Sequence, residues 1–144
     1  MIKAEGIHKT FEDFTALDNI TCNISDGCIY GMVGSNGAGK STFLRVLSGI
    51  YKPDKGCAYI DDEPIYENPK VKENIVFVSD ELFFLPGATM SKMADFYSSI
   101  YDRFNYDRFL KLAELFELNI KKPIANFSKG MNCLLYTSPS PRDA

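Results

Sequence analysis

Apolar and polar residues alternate along the first part of the chain in the pattern that half-buried β-strands require. Residues 2–10 and 16–24 predict two strands, and a Pro-Asp-Lys-Gly turn at 53–56 opens a third strand at 57–60. The second strand carries four apolar members: Leu17, Ile20, Cys22 and Ile24. Two uninterrupted apolar runs, at 28–33 and 75–78, are typical of buried parallel strands.

Beyond residue 87 the apolar residues recur every three or four positions, which predicts two amphipathic helices. The first group is Met90, Met93, Ala94, Tyr97, Tyr101 and Phe104, and the second is Phe109, Leu112, Ala113 and Phe116. We expect these aromatic stripes to lie in a core rather than to bind a ligand. Strands followed by a helical segment indicate an α/β fold with a helical subdomain.

A glycine-rich segment between the apolar run 28–33 and a helix-like run at 43–47 matches the phosphate-loop pattern G-x-x-x-x-G-K-[ST]. Its residues are Gly34, Ser35, Asn36, Gly37, Ala38, Gly39, Lys40, Ser41 and Thr42. Glycines let successive N–H groups turn towards phosphate oxygens, and the following helix adds its positive dipole end. Lys40 would reach the outer phosphates and Ser41 would ligate Mg²⁺. The sequence therefore predicts a nucleotide site.

Composition narrows the function classes. The chain has 144 residues, a net charge of −3 and no basic cluster, so nothing in it favours nucleic-acid binding. No apolar run approaches the roughly eighteen residues of a membrane span. We expect a cytoplasmic domain that serves a membrane only through a partner. Its four cysteines form no C-x-x-C pair, which favours free thiols over a metal site.

From about residue 2 to residue 132 the chain resembles the ATP-binding domain of ABC transporters. In that family an aromatic residue upstream of the phosphate loop stacks on adenine, and Phe11 stands at its position. Phe14 is the competing candidate, and a core anchor is the alternative role for Phe11. The segment 75–81 resembles the one that ends in the family's Q-loop glutamine, which implies a Mg²⁺ role for Asp80. A solvated loop acid is the alternative for Asp80.

The segment 127–131 resembles the family's signature motif, usually L-S-G-G-Q, with Ser128 and Gly130 as the strict matches. The resemblance implies that these two residues bind the γ-phosphate held by the phosphate loop of a second ATP-binding domain. Lys129 replaces a glycine, and this variant resembles those of bacterial exporters.

The resemblance implies an incomplete ABC ATPase fold: a P-loop NTPase core, an antiparallel β subdomain and a partial helical subdomain at about 86–127. Residues 1–132 would be the first portion of the domain. The family's later Mg²⁺-binding aspartate, catalytic glutamate and switch histidine have no counterpart in this sequence, whose one histidine is His8. Residues 133–144 resemble a translated sequencing adapter, so we interpret them as artefactual.

The function implied is the ATP-binding subunit of an ABC exporter, with ATP and Mg²⁺ as cofactors and Lys40 and Asp80 as catalytic residues. Its partners would be a membrane-spanning permease subunit and a second ATP-binding domain, at the cytoplasmic face of the plasma membrane. As a fragment it would bind ATP without efficient turnover. The alternatives are a soluble ABC ATPase acting on ribosomes or DNA, and a non-catalytic nucleotide-binding fragment.

Overall fold

A computed structural model describes residues 1–79, 84–101, 104–128 and 130–132. The chain divides into two compact units, Met1–Phe77 and the residues from Val78 onwards. Asp80, Lys129 and the adapter-like segment 133–144 lie outside the described residues.

The first unit contains an antiparallel sheet of four strands in the order β2-β1-β3-β4. Its strands are β1 (Ile2–Phe11), β2 (Phe14–Ile24), β3 (Lys55–Ile60) and β4 (Glu63–Pro64). The alternating pattern of the sequence thus predicted β1, β2 and β3 correctly. A tight turn joins β1 to β2 and places Phe11 opposite Phe14 at the tip of the hairpin.

One helix, α1 (Lys40–Leu47), covers this sheet, and a four-residue helix α2 (Pro69–Lys72) follows β4. The buried face of α1 consists of Phe43, Val46 and Leu47. These side chains form a core cluster with buried sheet residues, among them Ala4 and Ile7. Because α1 begins directly at the phosphate loop, this core fixes the loop against the sheet.

The two apolar runs at 28–33 and 75–78 do not form strands, so that prediction was wrong for both. Ile29 and Val33 are almost fully exposed, and Val76 and Val78 are about two-fifths exposed. An apolar run becomes a buried strand only where neighbouring strands satisfy its N–H and C=O groups. Within the described residues no strand pairs with either run.

The second unit is helical, with α3 (Met90–Ile100), α4 (Tyr106–Leu115) and a 3₁₀ turn at Ile124–Asn126. Thr89 and Asn105 cap α3 and α4 by accepting hydrogen bonds from the N–H groups of Lys92 and Arg108. Its core consists of Ala88, Met90, Met93, Ala94, Tyr97, Phe109 and Ile124. The predicted aromatic core is thus confirmed for Tyr97 and Phe109.

The apolar spacing in the sequence predicted both helices to extend further than they do in the structure. The helix α3 stops at Ile100, so Tyr101 and Phe104 follow it, and Tyr101 and Phe116 are at least half exposed. Among the described residues, no helix has the length and apolar character needed to cross a membrane.

Candidate functional site

The phosphate loop wraps from residue 34 to the first turn of α1, and two of its glycines have left-handed backbone angles. Gly37 has φ +82° and Gly39 has φ +81°, a region that disfavours side chains. Gly39 also lies against β2, because a Cβ at this position would stand 2.3 Å from the carbonyl oxygen of Ala16. The loop therefore needs Gly39 both for its turn and for its close approach to the sheet.

The N–H groups of this loop are largely without acceptors. In the part of the chain that the structure describes, only Ala38 among residues 34–42 donates a backbone hydrogen bond, at 3.3 Å to the carbonyl of Ser35. The N-cap residue of α1 is Gly39, so this helix start has no side-chain cap. Phosphate oxygens would supply the missing acceptors, so the loop fits an anionic phosphate chain.

Lys40 lies inside the curve of the loop. Its Nζ donates hydrogen bonds of 2.7 Å to the carbonyl oxygens of Gly34 and of Ser35. These contacts hold the ammonium group against the backbone of the loop at Gly34 and Ser35. Ser41, the predicted Mg²⁺ ligand, follows on α1 and is exposed.

A divalent cation at this site would depend on the nucleotide. Within the described residues no group of three or more His, Cys, Asp or Glu side chains could hold a metal ion. The hydroxyl of Ser41 together with phosphate oxygens is an oxygen donor set that suits Mg²⁺, which binds few protein ligands. The residues present thus fit Mg²⁺ bound with a nucleotide rather than alone.

Phe11, the predicted base-stacking residue, is 39% exposed and packs edge-on against Tyr51, with ring centroids 5.4 Å apart and an interplanar angle of 67°. The Nζ of Lys9 lies 5.5 Å from the Phe11 centroid. Phe14 is 60% exposed. Phe11 therefore has a defined setting at the edge of the first unit and still exposes part of its ring.

Sequence reasoning missed the residues that surround Phe11. Asp54 accepts hydrogen bonds from the Lys9 Nζ at 2.8 Å and from the Thr10 N–H at 2.7 Å. These donors lower the pKa of the Asp54 carboxyl, the bond from Lys9 contributing most. The sequence showed Asp54 only as a turn residue, and it held no sign that Tyr51 meets Phe11.

The signature-like residues lie in the second unit. The Ser128 Oγ accepts a hydrogen bond of 3.3 Å from the N–H of Met131, and Gly130 lies in a helical turn. Among the described residues, a Cβ on Gly130 would meet nothing closer than the Ser128 Oγ, at 4.0 Å. Ser128 thus caps the start of this turn, and among the described residues nothing crowds the backbone at Gly130.

A phosphate loop at the start of a helix that packs on a sheet defines a nucleotide-binding protein of the P-loop class. The comparison with protein families narrows the class, because the family model described as ABC transporter matches residues 17–135. The chain belongs to the ABC transporter family.

Two relatives illustrate the match in sequence. The ABC transporter ATP-binding protein YtrB of Bacillus subtilis is 29% identical over 131 residues, which cover 91% of this chain and 45% of YtrB. The arabinose import ATP-binding protein AraG 1 of Burkholderia ambifaria is 33% identical over 94 residues, which cover 63% of this chain and 19% of AraG 1. The chain thus spans less than half the length of these curated relatives.

Solved structures agree on the fold. A dimeric bacterial ABC transporter cassette superposes with a TM-score of 0.77 at 23% identity, covering 96% of this chain and 68% of that one. An ATP-binding cassette in a post-hydrolysis state, bound to ADP and Pi, gives a TM-score of 0.74 at 22% identity with the same coverage. The predicted ABC ATPase fold, present in part, is confirmed.

Proposed function

We propose that this chain is the first portion of the ATP-binding subunit of an ABC transporter and that it binds ATP at residues 34–42. The carrying observation is the loop itself: its N–H groups largely lack acceptors among the described residues, and it leads into a helix start without a side-chain cap, where Lys40 is the first helical residue. Phe11 would stack on the adenine, and Thr42 would lie on the α-phosphate side.

The metal and second-domain roles extend this proposal. Ser41 and Asp80 would serve Mg²⁺, and Ser128 with Gly130 would complete the ATP site of a second domain. The position of Ser128 at a helix start and the lack of a side chain at Gly130 support this role, because the first turn of a helix favours an anion. The whole protein would act at the cytoplasmic face of the membrane with a permease subunit.

The direction of transport is not part of the proposal. The expectation of an exporter depends on Lys129 in the signature-like motif. Lys129 lies outside the described residues. The relatives do not support it, since AraG 1 is named as an import protein.

Hydrolysis is proposed for the whole protein and not for this chain. Phosphoryl transfer depends on positioning the water and stabilising charge. The resemblance places the groups that position the water in residues without a counterpart here. We therefore expect ATP binding with little turnover, which phosphate release at saturating ATP would measure.

Replacing the loop lysine tests the proposal. Lys40→Ala removes a charge-assisted contact to phosphate, which typically contributes about 1.5–3 kcal/mol, so the affinity for ATP should fall about 10- to 150-fold by calorimetry. Lys111→Ala, at an exposed position of α4, is the matched control and should bind like the wild type. Equal affinity of the Lys40→Ala and control variants would overturn the proposal.

A further inference from the structure

The end of β1 that carries Phe11 is held by a turn that follows α1, residues 51–54, which we call the 51–54 turn. Three hydrogen bonds join them: the Asp54 N–H donates to the His8 carbonyl at 2.8 Å, and the Asp54 carboxylate accepts from Lys9 and Thr10. The Lys9 side chain is only 16% exposed, so this ion pair is partly shielded from water. The backbone at the base of Phe11 is therefore fixed by the turn.

The other end of the same turn fixes the Phe11 ring. Tyr51 meets Phe11 in a T-shaped contact with centroids 5.4 Å apart, the arrangement that aromatic pairs favour. Tyr51 is itself tied to α1, since its N–H donates to the Arg45 carbonyl at 3.1 Å. The Arg45 guanidinium lies 5.8 Å from the Tyr51 centroid. Together these contacts connect α1, Tyr51 and Phe11.

The helix α1 thus connects to both parts of the candidate site, the phosphate loop and the Phe11 ring. It starts at the phosphate loop with Lys40, and its last turn holds Tyr51. A base that stacks on Phe11 gains affinity only if the ring is already in position, because ordering a free aromatic side chain on binding costs entropy.

We propose that Tyr51 and Asp54 are positioning residues that hold the Phe11 ring for a purine base, Tyr51 through the ring and Asp54 through the backbone of β1. This inference rests on the proposed function, because it assigns the parts that support the base in the same nucleotide site. It predicts a contribution to the binding of the base and none to the binding of the phosphates.

Comparing ATP with inorganic tripolyphosphate tests the inference, because tripolyphosphate has the phosphates but no base. Tyr51→Ala should lower the affinity for ATP about 2- to 10-fold, the range expected for one aromatic pair. The affinity for tripolyphosphate should not change, and Tyr51→Phe should restore the affinity for ATP. Asp54→Ala should likewise affect ATP and not tripolyphosphate.

Tyr66→Ala is the matched control. Tyr66 is a half-buried tyrosine of the same unit whose ring lies 5.6 Å from the ammonium groups of Lys52 and Lys72. The Tyr66→Ala variant should bind ATP with the affinity of the wild type. If Tyr51→Ala fails to fold by circular dichroism, Tyr51→Leu keeps most of the buried volume without an aromatic ring and should give the same selective loss.

A double variant separates positioning from a general loss of stability. Phe11→Ala should lower the affinity for ATP about 5- to 150-fold, as for loss of base stacking. Adding Tyr51→Ala to Phe11→Ala should then have no further effect. An additive loss or an equal loss for tripolyphosphate would overturn the inference and leave the proposed function intact. An ineffective Phe11→Ala would overturn the inference together with the stacking role of Phe11, and would leave ATP binding at residues 34–42 intact. A folded wild type that binds neither ligand would instead refute the proposed function, and the inference with it.

Discussion

The glycines of the phosphate loop are required for different physical reasons. Gly37 and Gly39 share a left-handed backbone, but a Cβ on Gly37 would meet no described residue within 4 Å, whereas one on Gly39 would overlap the Ala16 carbonyl at 2.3 Å. A side chain at Gly37 would therefore cause backbone strain alone, whereas one at Gly39 would cause both backbone strain and steric overlap. The motif requires a glycine at position 39 and leaves position 37 open, and only the structure shows the contact of Gly39 with β2.

Gly37→Ala should cost about 1–2 kcal/mol of unfolding free energy, the penalty of a left-handed residue with a Cβ. Gly39→Ala should cost about 1–3 kcal/mol more, because the added methyl must displace the β2 backbone. Urea denaturation of both variants measures the difference. Equal destabilisation by Gly37→Ala and Gly39→Ala would show that steric overlap with Ala16 does not affect the free energy of unfolding.

The ion pair between Asp54 and Lys9 should make the free energy of unfolding depend on pH. Its pKa lies below the ordinary value of 3.8 in the folded chain, so the stabilisation is present above that pH and disappears as pH falls through the folded pKa. The difference in unfolding free energy between the wild type and Asp54→Asn should therefore be greatest near neutral pH and shrink below pH 3.8. A difference that stays constant from pH 6 to pH 2 would contradict the assignment.

Elements differ in how much of their structure the local sequence determines. The strands β1 and β2 pair with each other across a short turn, and α3 and α4 carry their own caps, so local patterns predicted all four. The runs 28–33 and 75–78 depend on distant strands. Their apolar composition was evident, but whether a neighbouring strand is present depends on residues far away in sequence.

Amide hydrogen exchange should reveal this difference. The N–H groups of residues 29–33 donate to no acceptor in the described part of the chain, so they should exchange at nearly unprotected rates. Those of β1 paired with β2 and β3 should exchange far more slowly. Protection of residues 29–33 equal to that of β1 would mean that this run is a paired strand after all.

At the scale of the whole molecule, each unit has its own core and its own part of the ABC pattern. The first unit holds the phosphate loop with Phe11, and the second holds Ser128 and Gly130. The loop pattern predicted the phosphate site because phosphate recognition by backbone needs fixed spacing in sequence, whereas the roles of Phe11, Ser128 and Gly130 came from the resemblance to the ABC family. The setting of Phe11 depends on Tyr51 and Asp54, forty or more residues away in sequence, so it became visible only in three dimensions.

The central claim is that ATP binds through the backbone of the phosphate loop. Hydrogen exchange with saturating Mg²⁺-ATP, compared with the nucleotide-free chain, tests it most directly. The N–H groups of residues 34–37 and 39–42 should gain protection, because phosphate oxygens would become their acceptors. Unchanged exchange at these residues while ATP is bound would contradict the account.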